Sequence, residues 1–260
     1  MILVNDKQVE FTKFPDGTTS FRYNPFGSMT RIFNITWKYD GDEECILLWY
    51  LVNHIRDHDR DVRLRLLLPY IPNARMDRVK NADEVFTLKW FAEFINTLDF
   101  DDVLVDDPHS NVSAALLDRV KVYDAQPHIQ KALDKLDDKN VCYPDEGAAK
   151  RYSSQAGREY VFCIKHRDWR TGKIERLELT SPEKVTDRNV LIVDDICSRG
   201  GTFTFTAKAL KEAGANEVYL YVTHCENTIH SGTVLTDGLI RHVFTTDSIY
   251  RGNSEKISLI

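Results

Sequence analysis

What this sequence lacks narrows its class first. No apolar run approaches the roughly 20 residues that a membrane-crossing helix needs, so no transmembrane segment is expected. The opening residues, MILVNDKQVEF, have no basic region followed by an apolar stretch and a small-residue cleavage site, so they do not read as a secretory signal. The five cysteines (Cys45, Cys142, Cys163, Cys197 and Cys225) are scattered and show no CxxC spacing. That predicts reduced thiols in a cytoplasmic compartment and argues against a structural zinc site. Positive charge is not in excess: 34 Lys and Arg against 40 Asp and Glu leave a net charge of −6. Neither nucleic acid nor an anionic membrane is therefore expected as a partner. Short-period repeats and low-complexity tracts are missing as well.

What is present is an ordinary globular composition, 42% apolar and 28% charged over 260 residues, enough for two small domains that each bury a core. Short apolar strands alternate with amphipathic helices, which predicts an α/β fold with largely parallel sheets. In the first half, 61–68 reads as a strand stopped by Pro69, 86–98 as a helix, and 102–105 as a strand ending in Asp106-Asp107-Pro108-His109. In the second half, strands are expected at 141–143, 161–164, 190–193 and 217–222. A helix over 202–212 is closed by Gly214 in the place of a C′ glycine. The boundary falls near Tyr123–Pro127, giving domains 1–125 and 126–260. The charged stretch 167–187 has no clear period and reads as a long loop able to act as a lid. Candidate polar groups gather at the carboxyl ends of strands, where open α/β sheets bind ligands.

The most specific feature is VLIVDDICSRGGT, residues 190–202. Four apolar residues deliver two adjacent carboxylates, Asp194 and Asp195, to a strand end, and a loop with Gly200 and Gly201 then opens a helix at Thr202. Glycines let backbone N–H groups approach a phosphate, and the helix N-terminus adds its dipole. Paired carboxylates suit the vicinal hydroxyls of a ribose, or a magnesium ion held through them. Lys165-His166-Arg167 places cations at another strand end; taken alone, this reads equally well as a solvated basic edge. His109 taken alone reads as a hydrogen-bonded turn residue.

The 190–202 segment resembles the phosphoribosyl-pyrophosphate motif of type I phosphoribosyltransferases and of phosphoribosyl-pyrophosphate (PRPP) synthetases. Further matches select the synthetases. Lys13-Phe14-Pro15-Asp16-Gly17 with Ser20 resembles their F-S-D-G-E segment, and Pro69-Tyr70 with Ala74–Arg78 resembles P-Y-x-x-A-R-Q-D-R. Asp107–Ser110 resembles D-L-H-A, and Pro144–Gly147 resembles S-P-D-x-G. Lys165–Arg167 resembles the K-R-R start of the catalytic flexible loop, and Tyr221–His224 resembles Y-A-T-H. These occur in the family's order across nearly the whole chain.

The resemblance implies two tandem type I phosphoribosyltransferase-like domains, each with a mostly parallel sheet flanked by helices. It implies an Mg2+-dependent pyrophosphokinase that uses ATP as co-substrate and works as a homo-oligomer. Asp194 and Asp195 would bind the ribose hydroxyls, and the loop Ser198, Arg199, Gly200, Gly201 and Thr202 would hold the 5-phosphate. His109 and Asp145 would ligate the metal. Arg75, Met76, Asp77 and Arg78 would hold ATP, with Phe14 and Asp16 reaching in from a neighbouring subunit, while Lys165 and Arg167 would close over the transferring diphosphate.

Three departures stand out. The family loop reads D-T-G/A-G-T, but here its first two positions are Ser198 and Arg199, a local change of +2 in formal charge. Thr18 and Met76 replace a glutamate and a glutamine of the adenine pocket. The last helix of the family pattern is not in this sequence. Arg199 suits either tighter capture of ribose 5-phosphate or a longer anionic 5′ substituent, such as the diphosphate of ADP-ribose. The chain also resembles synthetase-like variants of phage NAD+-rebuilding pathways that make ADP-ribose 1-pyrophosphate. A phosphoribosyltransferase and a non-catalytic regulatory homologue are the alternatives. Retention of Lys165, Arg167, His109 and Asp145 argues against the latter.

Overall fold

A computed structural model describes residues 1–24, 31–137, 140–167 and 174–260, with only the backbone of 165–167 and 174–176. It divides into two compact units, Met1–Tyr123 and Asp124–Ile260. Among the described residues no helix is long and apolar enough to cross a membrane.

The first unit contains β1 (Ile2–Val4), β2 (Lys7–Gln8), β3 (Phe11–Lys13), β4 (Thr19–Phe21), β5 (Ile32–Trp37), β6 (Arg63–Leu68), β7 (Asp102–Asp106) and β8 (Val120–Tyr123). Its helices are α1 (Glu44–His58), α2 (Thr87–Thr97) and α3 (Asn111–Leu116). The main sheet runs β2-β1-β5-β6-β7-β8, parallel from β5 to β8, with β1 and β2 added antiparallel at one edge. Leu64, Leu66 and Leu68 of β6 and Val103 and Val105 of β7 recur at every second residue and so turn one face of the sheet into the core. From α1 the core receives Leu48, Leu51, Val52 and Ile55, spaced as one helical face. The hairpin β3–β4 forms a separate two-stranded sheet.

The second unit contains α4 (Gln126–Leu133), β9 (Asn140–Tyr143), α5 (Glu146–Ala156), β10 (Tyr160–Arg167), β11 (Ile174–Leu179), β12 (Val190–Cys197), α6 (Gly201–Glu212), β13 (Val218–Cys225), β14 (His242–Thr245) and β15 (Ile257–Leu259). Its sheet order is β11-β10-β9-β12-β13-β14-β15, parallel except for β11. Helix α6 ends as the glycine predicts. Gly214 has φ +87, its N–H donates to Lys211 O, and the next N–H, of Ala215, donates to Leu210 O. That pair of bonds is a Schellman cap.

Two expectations are corrected here. The stretch 167–187 is not one long loop: β11 pairs antiparallel with β10, from Cys163↔Leu179 to Arg167↔Ile174. Leu177 and Leu179 pack on the core while Glu178 and Thr180 are exposed, a two-residue period hidden by charged neighbours. Residues 168–173 lie outside the described residues. Strand β12 also does not stop at Val193 but continues to Cys197, because Ile196 and Cys197 pair with His224 and Cys225. Asp194 and Asp195 therefore lie within the last turns of the strand rather than after it.

Candidate active site

In the second unit the chain leaves β12 at Cys197 and enters the 12-residue α6 at Gly201. Gly200 caps the helix with φ +79. A Cβ there would lie 2.0 Å from Val234 Cγ2, so both backbone conformation and space demand glycine. Among the described residues, the N–H groups of Arg199, Gly200, Gly201 and Thr202 donate to no protein acceptor. Unpaired amides in a row, one of them left-handed, at a helix N-terminus form a concave site for an anion. Arg199 is exposed, and among the described residues its guanidinium has no hydrogen-bond or ion-pair partner. The Ser198 hydroxyl instead donates to Glu226 Oε2 at 2.7 Å.

Just before this loop stand the two carboxylates. Asp195 is 6% exposed, and its Oδ2 lies 3.5 Å from Nη1 of Arg151, which also sits 5.0 Å over the Tyr152 ring. Asp194 is half-buried and accepts the Asp195 N–H at 3.0 Å. Burial, then the Asp195 charge and the Asp145 charge, push the Asp194 carboxyl well above the usual carboxylate range, against the lowering effect of that N–H. Asp145 follows β9, the parallel neighbour of β12, and caps α5 by accepting Ala148 N–H at 2.9 Å. The arrangement gathers negative charge beside an anion loop. It suits a ligand that brings hydroxyl donors or a hard cation together with a phosphate.

In the first unit, Asp77, Arg78, His109 and Ser110 are neighbours. Arg78 grips Asp77 with two hydrogen bonds, Nε–Oδ1 at 2.8 Å and Nη2–Oδ2 at 3.1 Å. The Arg78 guanidinium, and more weakly the His109 ring, hold the buried Asp77 carboxyl below its ordinary range. Asp77 thus orients Arg78, whose side chain remains 69% exposed. Arg75 is exposed and Met76 half-buried, on a turn where Asn73 has φ +62 and its carbonyl accepts Met76 N–H. His109 is half-buried after β7, following Asp107 at φ +40.

The tip of the β3–β4 hairpin carries Phe14, 56% exposed, and Asp16, whose Oδ1 accepts both the N–H and the hydroxyl of Thr18. Those bonds lower the Asp16 carboxyl. Lys165 and Arg167 belong to β10 by backbone; their side chains lie outside the described residues. Among the described residues no three His, Cys, Asp or Glu side chains form a protein-only metal cage. Magnesium does not require one, since it commonly keeps waters and substrate phosphates in its shell.

Three contributors escaped the sequence reading. Arg151 and Glu226 reach Asp195 and Ser198 across 44 and 28 positions of chain, with no local pattern to mark them. The third is a polar cluster beyond the Tyr221–His224 match. There, Thr223 O accepts from Thr245 at 3.3 Å, Thr246 at 2.6 Å and Ser248 at 3.3 Å, while Ser248 Oγ meets Nδ1 of the buried His224 at 2.9 Å. Two clefts of about 680 and 760 Å3 in this unit share Gly157, Arg158, Glu159, Tyr160 and Lys184 and include none of the predicted site residues. Their volume carries less weight than the chemistry of the 194–202 segment.

Comparison with known proteins follows the same lines. A family model described as a phosphoribosyl transferase domain matches residues 147–254. The ribose-phosphate pyrophosphokinase of Pyrococcus abyssi is 30% identical over 221 residues, covering 83% of this chain and 75% of that one. That of Sulfurisphaera tokodaii is 27% identical over 247 residues, covering 93% and 84%. A crystal structure of phosphoribosylpyrophosphate synthetase from Mycobacterium smegmatis matches with TM-score 0.76 at 18% identity, covering 97% of this chain and 85% of that one, a likeness of fold. Two parallel-dominated sheets flanked by helices, one of them ending in this loop, define a tandem phosphoribosyltransferase-type architecture. The chain belongs to the ribose-phosphate pyrophosphokinase family and is a transferase of the diphosphokinase type.

Proposed function

We propose that this protein transfers the β,γ-diphosphate of ATP to the anomeric hydroxyl of a 5-phosphorylated ribose, releases AMP and requires Mg2+. The observation that carries this reading is the run of amides Arg199–Thr202, unpaired among the described residues, that follows Asp194 and Asp195 after three residues. The amides hold the 5-phosphate. The carboxylates accept the ring hydroxyls, which fixes the sugar so that one hydroxyl remains to attack.

The donors present fit a hard divalent cation, because Asp194, Asp195 and Asp145 bring oxygen ligands of one charge together; burial first, then the Asp195 and Asp145 charges, raise the Asp194 carboxyl. In the second unit Asp145 would hold the ion; in the first unit His109 is a candidate ligand in its own right. When bound, the ion neutralises phosphate charge. Lys165 and Arg167 supply further cations for the transferring group, whose transition-state charge is spread over its oxygens. Arg75 and Arg78 bind the ATP phosphates, with Asp77 holding Arg78 in position.

The relatives' name carries a ribose phosphate, and ribose 5-phosphate is the first acceptor to test. A second reading, ADP-ribose, is favoured by the Arg199 guanidinium, unpartnered among the described residues and available to a second phosphate. Incubation with Mg-ATP and each acceptor, followed by mass spectrometry, tests both. PRPP or ADP-ribose 1-pyrophosphate should appear together with AMP. Formation of neither would overturn the reading.

A further inference from the structure

The outer side of the phosphate loop is built by residues 226–237. Gly232 approaches so closely that a Cβ there would lie 1.9 Å from Arg199 O, and Val234 fills the space beside Gly200. Thr204 Oγ1 meets Thr233 Oγ1 at 3.2 Å and Asp237 Oδ2 at 3.0 Å. Glu226 is the charged member at the loop's start. Its N–H donates to Cys197 O at 2.8 Å, and its Oε2 accepts from Ser198 at 2.7 Å and from Thr228 at 3.0 Å. Among the described residues Arg199 forms no ion pair with it. A half-buried carboxylate is therefore fixed one residue from the amides that receive the phosphate, and the intervening hydroxyl is turned toward it.

Resting on the acceptor site proposed above, we infer that Glu226 is a specificity-determining residue that makes the loop favour a singly charged 5-phosphoryl group over a dianionic one. The two acceptor classes differ in this respect. A phosphate monoester such as ribose 5-phosphate loses its second proton near pH 6 and is close to a dianion at neutral pH. The ribose-proximal phosphate of a nucleoside diphosphate sugar is esterified on both sides and carries one charge throughout. Each added charge near a fixed carboxylate raises the cost of binding, and the partly buried setting limits screening. Ser198, committed to Glu226, cannot offset that cost by donating to the phosphate.

Calorimetric binding of ribose 5-phosphate and of ADP-ribose between pH 5.5 and 8 tests this without relying on turnover. Glu226→Gln keeps an acceptor for Ser198 but removes the charge. As pH rises through about 6, the affinity ratio should move toward ribose 5-phosphate less in the wild-type chain than in Glu226→Gln. At pH 7.5 the ratio should lie about tenfold further toward ribose 5-phosphate in Glu226→Gln than in the wild-type chain. Glu226→Ala, which also frees Ser198 to donate to the phosphate, should shift the ratio in the same direction at least as far. The same pH dependence in wild type and Glu226→Gln, or equal changes for both ligands in Glu226→Gln, would overturn the inference. If the wild-type chain binds both but makes no product from either, the transferase reading fails while the ratio still decides the role of Glu226. If it binds neither, both fall.

Discussion

Replacing Asp194 by Asn should make the protein more stable and its acceptor site worse, and the two effects should depend on pH in a defined way. Asp194 is half-buried against Asp195 and within the field of Asp145, and burial is the largest cause of its raised proton affinity. A carboxyl raised in the folded state contributes stability that is fully present below its unfolded pKa, near 3.8. That contribution is lost as pH climbs through the folded value. As pH rises above the unfolded value, the ligand-free fold thus carries a cost, as a buried charge or as a proton held against the solvent pH, that asparagine of similar shape lacks. Substitutions that relieve a strained site typically gain about 0.5–2 kcal/mol. At about 2–4 °C per kcal/mol for a chain of this size class, the melting temperature should rise by roughly 1–8 °C.

The function should move the other way. The ribose loses a charge-assisted acceptor worth about 1.5–3 kcal/mol, or roughly 10- to 150-fold in acceptor affinity. Thermal melts from pH 4 to 8, with acceptor titrations at each pH, read both effects. The stability gain should be largest at high pH and vanish toward pH 4, where the wild-type carboxyl is protonated. A gain independent of pH, or a loss of stability at pH 8, would show that the carboxylate pair is not under electrostatic strain. Generic damage cannot imitate the expected result, because damage lowers stability and activity together.

Gly200→Ala meets two costs: a left-handed φ, about 1–2 kcal/mol for a residue with Cβ, and the 2.0 Å approach to Val234, about 1–3 kcal/mol of overpacking. Adding Val234→Ala should restore stability at pH 7 relative to the single mutant only in part if the backbone term is real; full recovery in denaturant melts would refute it. Arg199→Thr should reduce use of ADP-ribose by roughly one to two orders of magnitude and of ribose 5-phosphate by much less, as read by kcat/KM; equal losses would mean that Arg199 serves only the shared phosphate. Asp102, held at about 2 by Lys121 first, with Arg65 and Arg63, contributes stability above its unfolded range that is lost as pH falls from about 4 to about 2. Asp102→Asn should therefore cost about 1–2 kcal/mol at pH 7, discounted for the exposure of its partners, with the difference shrinking from about pH 4 and nearly closed at about pH 2; a difference undiminished at pH 2 would rule out the ion cluster as its source.

What could be read from the sequence divides by range. The 190–202 segment was legible because its chemistry is contiguous: an apolar strand, two carboxylates, a left-handed glycine and a helix start all lie within one turn of chain, and each leaves a local mark. Strands β12 and β13 announced themselves as the apolar runs Val190–Val193 and Val218–Val222 for the same reason, and β6 as leucine at every second position. The edges did not. Strands β1, β2 and β15 span only two or three residues and exist because a neighbouring strand offers hydrogen bonds, which a local pattern cannot reveal. Strand β11 was obscured because its polar face faces outward and its neighbours are charged.

The groups that tune the site were hidden more deeply still. Arg151 projects from α5 toward Asp195, and Glu226 reaches Ser198 only because β12 and β13 are in register, Cys197 opposite Cys225. Register is a property of two strands at once, so no single segment carries its signature. This bears on how the loop should be understood. As a motif, the replacement of the family's aspartate and threonine by Ser198 and Arg199 loses one negative charge and gains one positive, a net change of +2. In the fold, one negative charge returns through Glu226, and it returns from the wall side while Arg199 stays exposed. The loop has therefore been polarised rather than simply made more basic, with a carboxylate at its start and a guanidinium facing outward. A polarised loop distinguishes ligands by where along the 5′ substituent their charge lies, which a uniformly basic one cannot do.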